Sequence, residues 1–140
     1  IAPVAGSEAL GTALWYRDAL ALDAIDYMHY DLGWIGGISE AIKISGIAHA
    51  NNRMMCPHDC TGPIVWIANL HISLAFSSSM ILESVRSYYN GFYKNLVNNL
   101  PRIDKGLAFP MDGVGLGTDL QDSLLKSPNT IIRKTTKNDL

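Results

Sequence analysis

Short apolar segments typical of β-strands alternate with longer segments typical of helices along most of the chain. The predicted strands are 1–6, 24–31, 54–57 and 80–82, and the predicted helices are 10–22, 40–50, 64–76 and 88–100. Such alternation is characteristic of parallel βαβ units, in which the carboxyl ends of all strands lie at one edge of the sheet. The sequence therefore predicts an α/β fold with parallel strands, as an open doubly wound sheet or as part of a (β/α) barrel.

Length limits how much of a barrel the chain can supply. A complete (β/α)₈ barrel needs about 250 residues, whereas this chain has 140 residues. Hydrophobic residues make up 48% of them, which is enough to build a core. We therefore expect about half of a barrel at most. The start at Ile1, without a Met, suggests processing, trimming or a fragment.

Single residues set several of the predicted boundaries. Thr12 and Ser39 are suitable N-caps for the first two helices, and Pro63 suits the first turn of the third. The glycines within 33–37 predict a loop. Pro101 follows the fourth predicted helix, and the Gly-rich remainder of the chain predicts irregular structure.

An ionisable residue stands at the carboxyl end of each predicted strand. These residues are Glu8, Asp31, His58 and Glu83. Active sites of α/β barrels and open sheets lie at that edge. A carboxylate in such a set can hold Mg²⁺ through oxygen, and an Asp beside a His can orient the imidazole. The plainer interpretation is that polar residues merely begin loops, but four in register favour a site.

Charge and hydropathy argue against two classes of partner. A net charge of −2 and a pI of about 6.0 give no basic surface for nucleic acid or an anionic membrane. Residues 60–82 contain no Asp, Glu, Lys or Arg, but polar residues such as Asn69 and His71 predict a buried core helix instead of a membrane span. Two cysteines, Cys56 and Cys60, favour a reducing, cytoplasmic compartment.

The segment Cys56-Pro-His58-Asp59-Cys60 admits two interpretations. Its cysteines and histidine could ligate zinc, but a structural zinc site needs four ligands. We therefore favour ordinary loop residues, with Asp59 solvated or at a helix N-terminus.

Two further residues stand close to Asp31 in the sequence. His29 shares its strand face and could line a barrel interior, most simply as a hydrogen-bonded supporting histidine. Trp34 follows in the next loop, where it could contact a substrate.

The ordered set of motifs resembles the enolase superfamily, and within it the mandelate racemase/muconate lactonizing enzyme subgroup with its acid-sugar dehydratases. The segments that carry this resemblance are PVAGSE (3–8), DLGWIGGISEA (31–41), CPHDCTGP (56–63), ILE (81–83) and MDGVGLGTDL (111–120). In that family a metal-binding Glu, an Asp, a His and a Glu end the fifth to eighth barrel strands. Here the corresponding gaps are 31 − 8 = 23, 58 − 31 = 27 and 83 − 58 = 25 residues, which fit that order.

The resemblance implies a role for each of the four residues. Glu8 is similar to the third of three Mg²⁺ carboxylate ligands, and Asp31 and His58 are similar to a His–Asp dyad with His58 as general acid or base. Glu83 is similar to the Glu near the substrate carboxylate. The implied reaction removes a proton α to a carboxylate and gives an enediolate that Mg²⁺ stabilises.

The resemblance also implies an enzyme class and a substrate class. The parent would be a hydro-lyase that dehydrates an acid sugar or another 2-hydroxy carboxylate, and it would form a homo-oligomer. A racemase or epimerase of the same family, a non-catalytic truncated fragment, and an unrelated βαβ binding module in which Asp31 and His58 lie far apart remain alternatives.

The resemblance divides the chain into two regions. Residues 1–103 correspond to the last four strands and helices of the barrel, and residues 104–140 to a segment that returns toward the capping domain. The family's catalytic Lys, two metal ligands and capping domain would lie upstream of Ile1. We therefore expect the fragment alone to be inactive and the missing N-terminal part to be its partner.

Overall fold

A computed structural model describes residues 2–6 and 8–139 of the chain, so Ile1 of the first predicted strand lies outside the described residues. Three two-residue strands, β1 (Ala5–Gly6), β2 (Tyr27–Met28) and β3 (Met54–Met55), form a parallel sheet in the order β1-β2-β3. Main helices follow them in turn: α1 (Ala13–Ala21), the helix Ile38–Ala50 and the helix Pro63–Ala75. This architecture confirms the predicted α/β fold with parallel strands.

The predicted fourth strand at 80–82 is wrong as a regular strand. Ser79 forms a single parallel bridge with Met55, and the Met80 amide donates to the Met55 carbonyl at 2.9 Å. Met80 and Ile81 are half exposed, whereas Met28 of β2 and Met55 of β3 are fully buried, so packing fixes this segment less firmly than those two strands. The chain nevertheless runs parallel to β3 at the predicted place in the sheet.

The loop predicted around 33–37 contains a short helix, α2 (Leu32–Ile35). Gly36 ends α2 in the left-handed region with φ 106°, and Gly37, with φ 86°, is the N-cap of α3 (Ile38–Ala50). The prediction of Ser39 as N-cap is therefore wrong, because the two glycines turn the chain directly from α2 into α3. The predictions for the other two helices hold: Thr12 occupies the N-cap of α1, and Pro63 begins α4 (Pro63–Ala75).

The predicted helix 88–100 is wrong. The chain forms α5 (Arg86–Asn90) and then a 3₁₀ turn (Phe92–Asn95). Gly91 separates them with a backbone outside the helical region (φ −107°, ψ −117°), and a Cβ there would lie 2.5 Å from the Ser87 carbonyl oxygen.

The region predicted to be irregular contains an antiparallel hairpin of β4 (Arg102–Asp104) and β5 (Leu107–Phe109). Lys105 and Gly106 form its two-residue turn with positive φ angles of 50° and 81°, as a type I′ turn requires. The predicted boundary between residues 103 and 104 falls inside β4. A helical turn, α6 (Asp122–Leu125), and a 3₁₀ turn (Lys137–Asp139) complete the chain.

The core consists of two clusters. The larger one lies between the parallel sheet and helices α1, α3 and α4, around Tyr16, Met28 and Met55. The smaller one joins Trp66 and Ile67 of α4 to Tyr93, and partly buried side chains of the C-terminal region pack on it. Within residues 2–6 and 8–139 the helices are too short or too polar to cross a bilayer.

Candidate active site at the strand ends

Backbone hydrogen bonds place the four predicted site residues at one edge of the sheet. The Asp31 amide donates to the Glu8 carbonyl at 3.3 Å, and the His58 amide donates to the Tyr30 carbonyl at 2.8 Å. The Glu83 amide donates to the Pro57 carbonyl at 3.1 Å. The parallel register therefore continues past the short strands and brings these four residues together at one edge of the sheet, which we call the mouth.

Asp31 and His58 are in direct contact. The imidazole Nδ1 lies 2.8 Å from the Asp31 carboxylate Oδ2. Asp31 is fully buried, and two other groups fix its carboxylate: the Gly33 amide donates to Oδ1 at 2.7 Å, and the Thr61 hydroxyl lies 3.1 Å from each oxygen. The first of these bonds arises because Asp31 is the N-cap of α2. These contacts thus fix the orientation of the carboxylate independently of the imidazole.

His58 presents its other nitrogen to the mouth. Since Asp31 accepts the proton on Nδ1, Nε2 carries the free lone pair of the neutral ring. Nε2 lies 3.8 Å from the Glu83 carboxylate, and the Trp34 ring lies beside the imidazole with 5.4 Å between centroids. The indole is 47% exposed and lies at the rim of the mouth, and its contact with a substrate stays a prediction. This arrangement suits proton transfer to or from a ligand in the mouth.

His29 connects the two outer carboxylates. Its Nε2 lies 3.0 Å from Glu83 Oε2, and its Nδ1 lies 3.9 Å from Glu8 Oε2. Its ring also meets the His58 ring edge to face, with 5.1 Å between centroids. The prediction of a supporting histidine is therefore confirmed in position, and the two-residue spacing from Asp31 was the signal that identified it.

Asp59 is a functional candidate that the sequence analysis misjudged. It is fully buried and not a solvated loop residue. Its carboxylate accepts hydrogen bonds from the Tyr93 hydroxyl at 2.8 Å and from the Val85 amide at 2.9 Å, while its own amide donates to Glu83 Oε2 at 3.3 Å. Burial raises the pKa of the Asp59 carboxyl, although both hydrogen bonds act in the opposite direction. Asp59 therefore ties the loop that carries Glu83 to the loop that carries His58.

The family of the chain follows from its sequence. Residues 1–124 match the family described as Enolase C-terminal domain-like. The chain belongs to the enolase superfamily. An arabinonate dehydratase of Saccharolobus solfataricus is 31% identical over 124 residues, which are 89% of this chain and 33% of that protein. A D-galactonate dehydratase of Verminephrobacter eiseniae is 29% identical over 128 residues, which are 88% of this chain and 34% of that protein.

Solved structures agree with this assignment. An enolase of the mandelate racemase subgroup from Agrobacterium tumefaciens has a TM-score of 0.81 and 38% identity, over 89% of this chain and 33% of its own. An enolase protein from Sargasso Sea environmental sequencing has a TM-score of 0.87 and 36% identity, over 97% of this chain and 36% of its own. The chain thus spans about a third of the length of these relatives. It is the C-terminal barrel portion of a mandelate racemase/muconate lactonizing enzyme-type fold, and the alternative of an unrelated βαβ module is wrong.

Glu8 fits the chemistry of a magnesium ligand. Its side chain is 41% exposed at the mouth, and its carboxylate supplies the hard oxygen that Mg²⁺ prefers. Within the described part of the chain, Glu8 does not belong to a group of three closely spaced ligand atoms.

Proposed function

We propose that this chain forms the C-terminal part of a magnesium-dependent acid-sugar dehydratase. The observation that carries the proposal is the 2.8 Å bond between the His58 imidazole and the buried Asp31 at the strand-end mouth. The named dehydratases among its relatives support a lyase, with arabinonate and galactonate as the substrate class. The full polypeptide, its substrates and its assembly as a homo-oligomer belong to this proposal.

His58 would move the proton in this reaction. With Nδ1 engaged by Asp31, Nε2 can take the proton α to the substrate carboxylate or protonate the β-hydroxyl as it leaves as water. Asp31 would keep the ring orientation fixed and stabilise the imidazolium when the proton is taken up. Because Asp31 is buried and anchored by Gly33 and Thr61, it needs no reorganisation during this step.

Glu83 and Glu8 would both act on the substrate carboxylate, Glu83 directly and Glu8 through magnesium. Glu83, held by His29 and by the Asp59 amide, would face the substrate carboxylate from the end of the last strand segment. Glu8 would hold magnesium through one carboxylate oxygen. When bound, the ion would offset the negative charge that develops on the substrate carboxylate.

A substrate screen with matched histidine variants tests this proposal. The complete polypeptide that carries these residues is incubated with Mg²⁺ and a panel of aldonic acids that includes arabinonate and galactonate, and 2-keto-3-deoxy acid is measured. His58→Asn should lower kcat by about 10²–10⁴-fold, the typical contribution of a general acid or base. His49→Asn, on the exposed end of α3, should retain normal turnover.

The same screen separates the competing functions. Incorporation of solvent deuterium at the α-carbon without loss of water would identify a racemase or epimerase instead. Unchanged turnover in His58→Asn would remove His58 from the mechanism. We also expect the 140-residue chain alone to show no turnover, since the remaining metal ligands would come from elsewhere.

A further inference from the structure

The segment after β3 also places a thiol beside the dyad. Cys60 is a free, exposed cysteine whose Sγ lies 3.8 Å from His58 Nδ1. One ligand atom each from Asp31, His58 and Cys60 lies within 4.8 Å of the other two. We propose that these three side chains form a binding site for a thiophilic divalent cation such as Zn²⁺.

The spacing of the three atoms is close to that around a tetrahedral zinc ion. With Zn–S near 2.3 Å and Zn–N or Zn–O near 2.0–2.2 Å, tetrahedral angles place sulfur and nitrogen about 3.6 Å apart and nitrogen and oxygen about 3.4 Å apart. The observed distance from Sγ to Nδ1 is 3.8 Å, and that from Nδ1 to Asp31 Oδ2 is 2.8 Å. The nitrogen–oxygen pair must open by about half an ångström, and Nδ1 must lose its proton, so a bound cation would replace the hydrogen bond between His58 and Asp31.

Asp31 already has the supporting hydrogen bonds that are typical of a metal-binding carboxylate. The Gly33 amide and the Thr61 hydroxyl hold the Asp31 carboxylate in place, and such outer hydrogen bonds orient metal-binding carboxylates. Access is available from the opposite side, because Cys60 is exposed whereas Asp31 is fully buried. A cation could thus enter from solvent past Cys60 and meet an Asp31 carboxylate that is already fixed in place.

The donor set selects the class of cation. Sulfur and imidazole nitrogen favour Zn²⁺ and related ions, whereas Mg²⁺ prefers oxygen alone. The Glu83 carboxylate lies 3.8 Å from His58 Nε2, and its negative charge also favours a dication nearby. Cys56 is not in this group of described residues, so the zinc interpretation of the two-cysteine motif changes to one cysteine, the histidine and Asp31.

Cobalt spectroscopy tests the site directly. The complete polypeptide, reduced with a phosphine and saturated with Mg²⁺ to fill oxygen-only sites, is titrated with Co²⁺. Binding should produce a near-ultraviolet sulfur-to-cobalt charge-transfer band at one ion per chain, and Zn²⁺ should displace it. Cys60→Ser should abolish the band and weaken Zn²⁺ binding by more than the roughly 10–100-fold that loss of an outer contact costs. Cys56→Ser is the matched control and should retain the band.

Several results would overturn the site. These are a wild-type protein without the charge-transfer band, a band that survives in Cys60→Ser, or a band that disappears in a folded Cys56→Ser variant. X-ray absorption of the zinc-loaded wild type gives a readout without mutation. One sulfur neighbour at about 2.3 Å is expected, and a shell of oxygen and nitrogen alone would contradict the proposal.

Discussion

The Asp59–Tyr93 hydrogen bond is the contact whose loss can be followed most directly. The Tyr93 hydroxyl donates to Asp59 Oδ1 at 2.8 Å, and both residues are fully buried. The other carboxylate oxygen accepts from the Val85 amide at 2.9 Å. Each oxygen of Asp59 therefore holds a different segment: the turn after α5, and the backbone that follows Glu83.

The two single substitutions remove different parts of this contact. Tyr93→Phe keeps the ring in the Trp66 cluster but removes the donor, which should cost about 1.5–3 kcal/mol for a hydrogen bond to a charged group. In Asp59→Asn the one remaining carbonyl oxygen can accept from the Val85 amide while the NH₂ donates to the Tyr93 hydroxyl oxygen, so the hydroxyl proton loses its acceptor. An unsatisfied buried group costs about 1–3 kcal/mol. The double variant should therefore lose less than the sum, by about 1–2 kcal/mol.

Urea unfolding of the complete polypeptide and its variants measures these free energies, and hydrogen exchange at the Val85 amide reports the local effect. Exchange there should accelerate in Asp59→Asn more than in Tyr93→Phe, because the substitution acts on the Val85 acceptor itself. Tyr88→Phe is the matched control, since its ring packs on Phe92 and Tyr93. Additive single effects, or an unchanged exchange rate at Val85, would refute the argument.

The remaining predictions concern the dyad and pH. Asp31→Asn should lower kcat by at least about 10²-fold with a smaller change in KM, because the amide no longer fixes the His58 tautomer; a KM effect alone would contradict this. Gly33→Ala should impair turnover, since a Cβ there would lie 3.1 Å from Asp31 Oδ1, whereas Gly46→Ala in open space on α3 should stabilise the protein by about 0.5–1 kcal/mol. Burial raises the folded-state pKa of Asp59 above that of the unfolded chain, so its contribution to stability is present below the unfolded pKa and is lost as pH rises through the folded pKa. The free energy of unfolding should therefore depend less on pH above about 4 in Asp59→Asn than in the wild type, and identical pH profiles would contradict it.

The strand-end residues were predictable because parallel pairing fixes where strands end relative to one another. Asp31 and His58 stand 27 residues apart, yet both follow apolar strands of one sheet, so their contact follows from topology. Their roles in the reaction remain predictions. The break at Gly91 within the predicted helix 88–100 could not be seen from periodicity, because the crowding there depends on the local backbone path. The hairpin at 102–109 had a signal in its Lys-Gly turn, but its strands are only three residues long.

The sequence could not predict which individual polar side chains are buried. Asp59 and Cys60 are adjacent residues of similar size, and one is fully buried whereas the other is exposed. The extended backbone before α4 turns successive side chains to different sides: His58 toward Asp31, Asp59 toward Tyr93, and Cys60 back toward the imidazole. This three-residue segment therefore joins the dyad, the Glu83 loop and the C-terminal region. Substitutions at Asp59 should thus alter both stability and the position of Glu83, whereas substitutions at Cys60 should alter cation binding without disturbing the core.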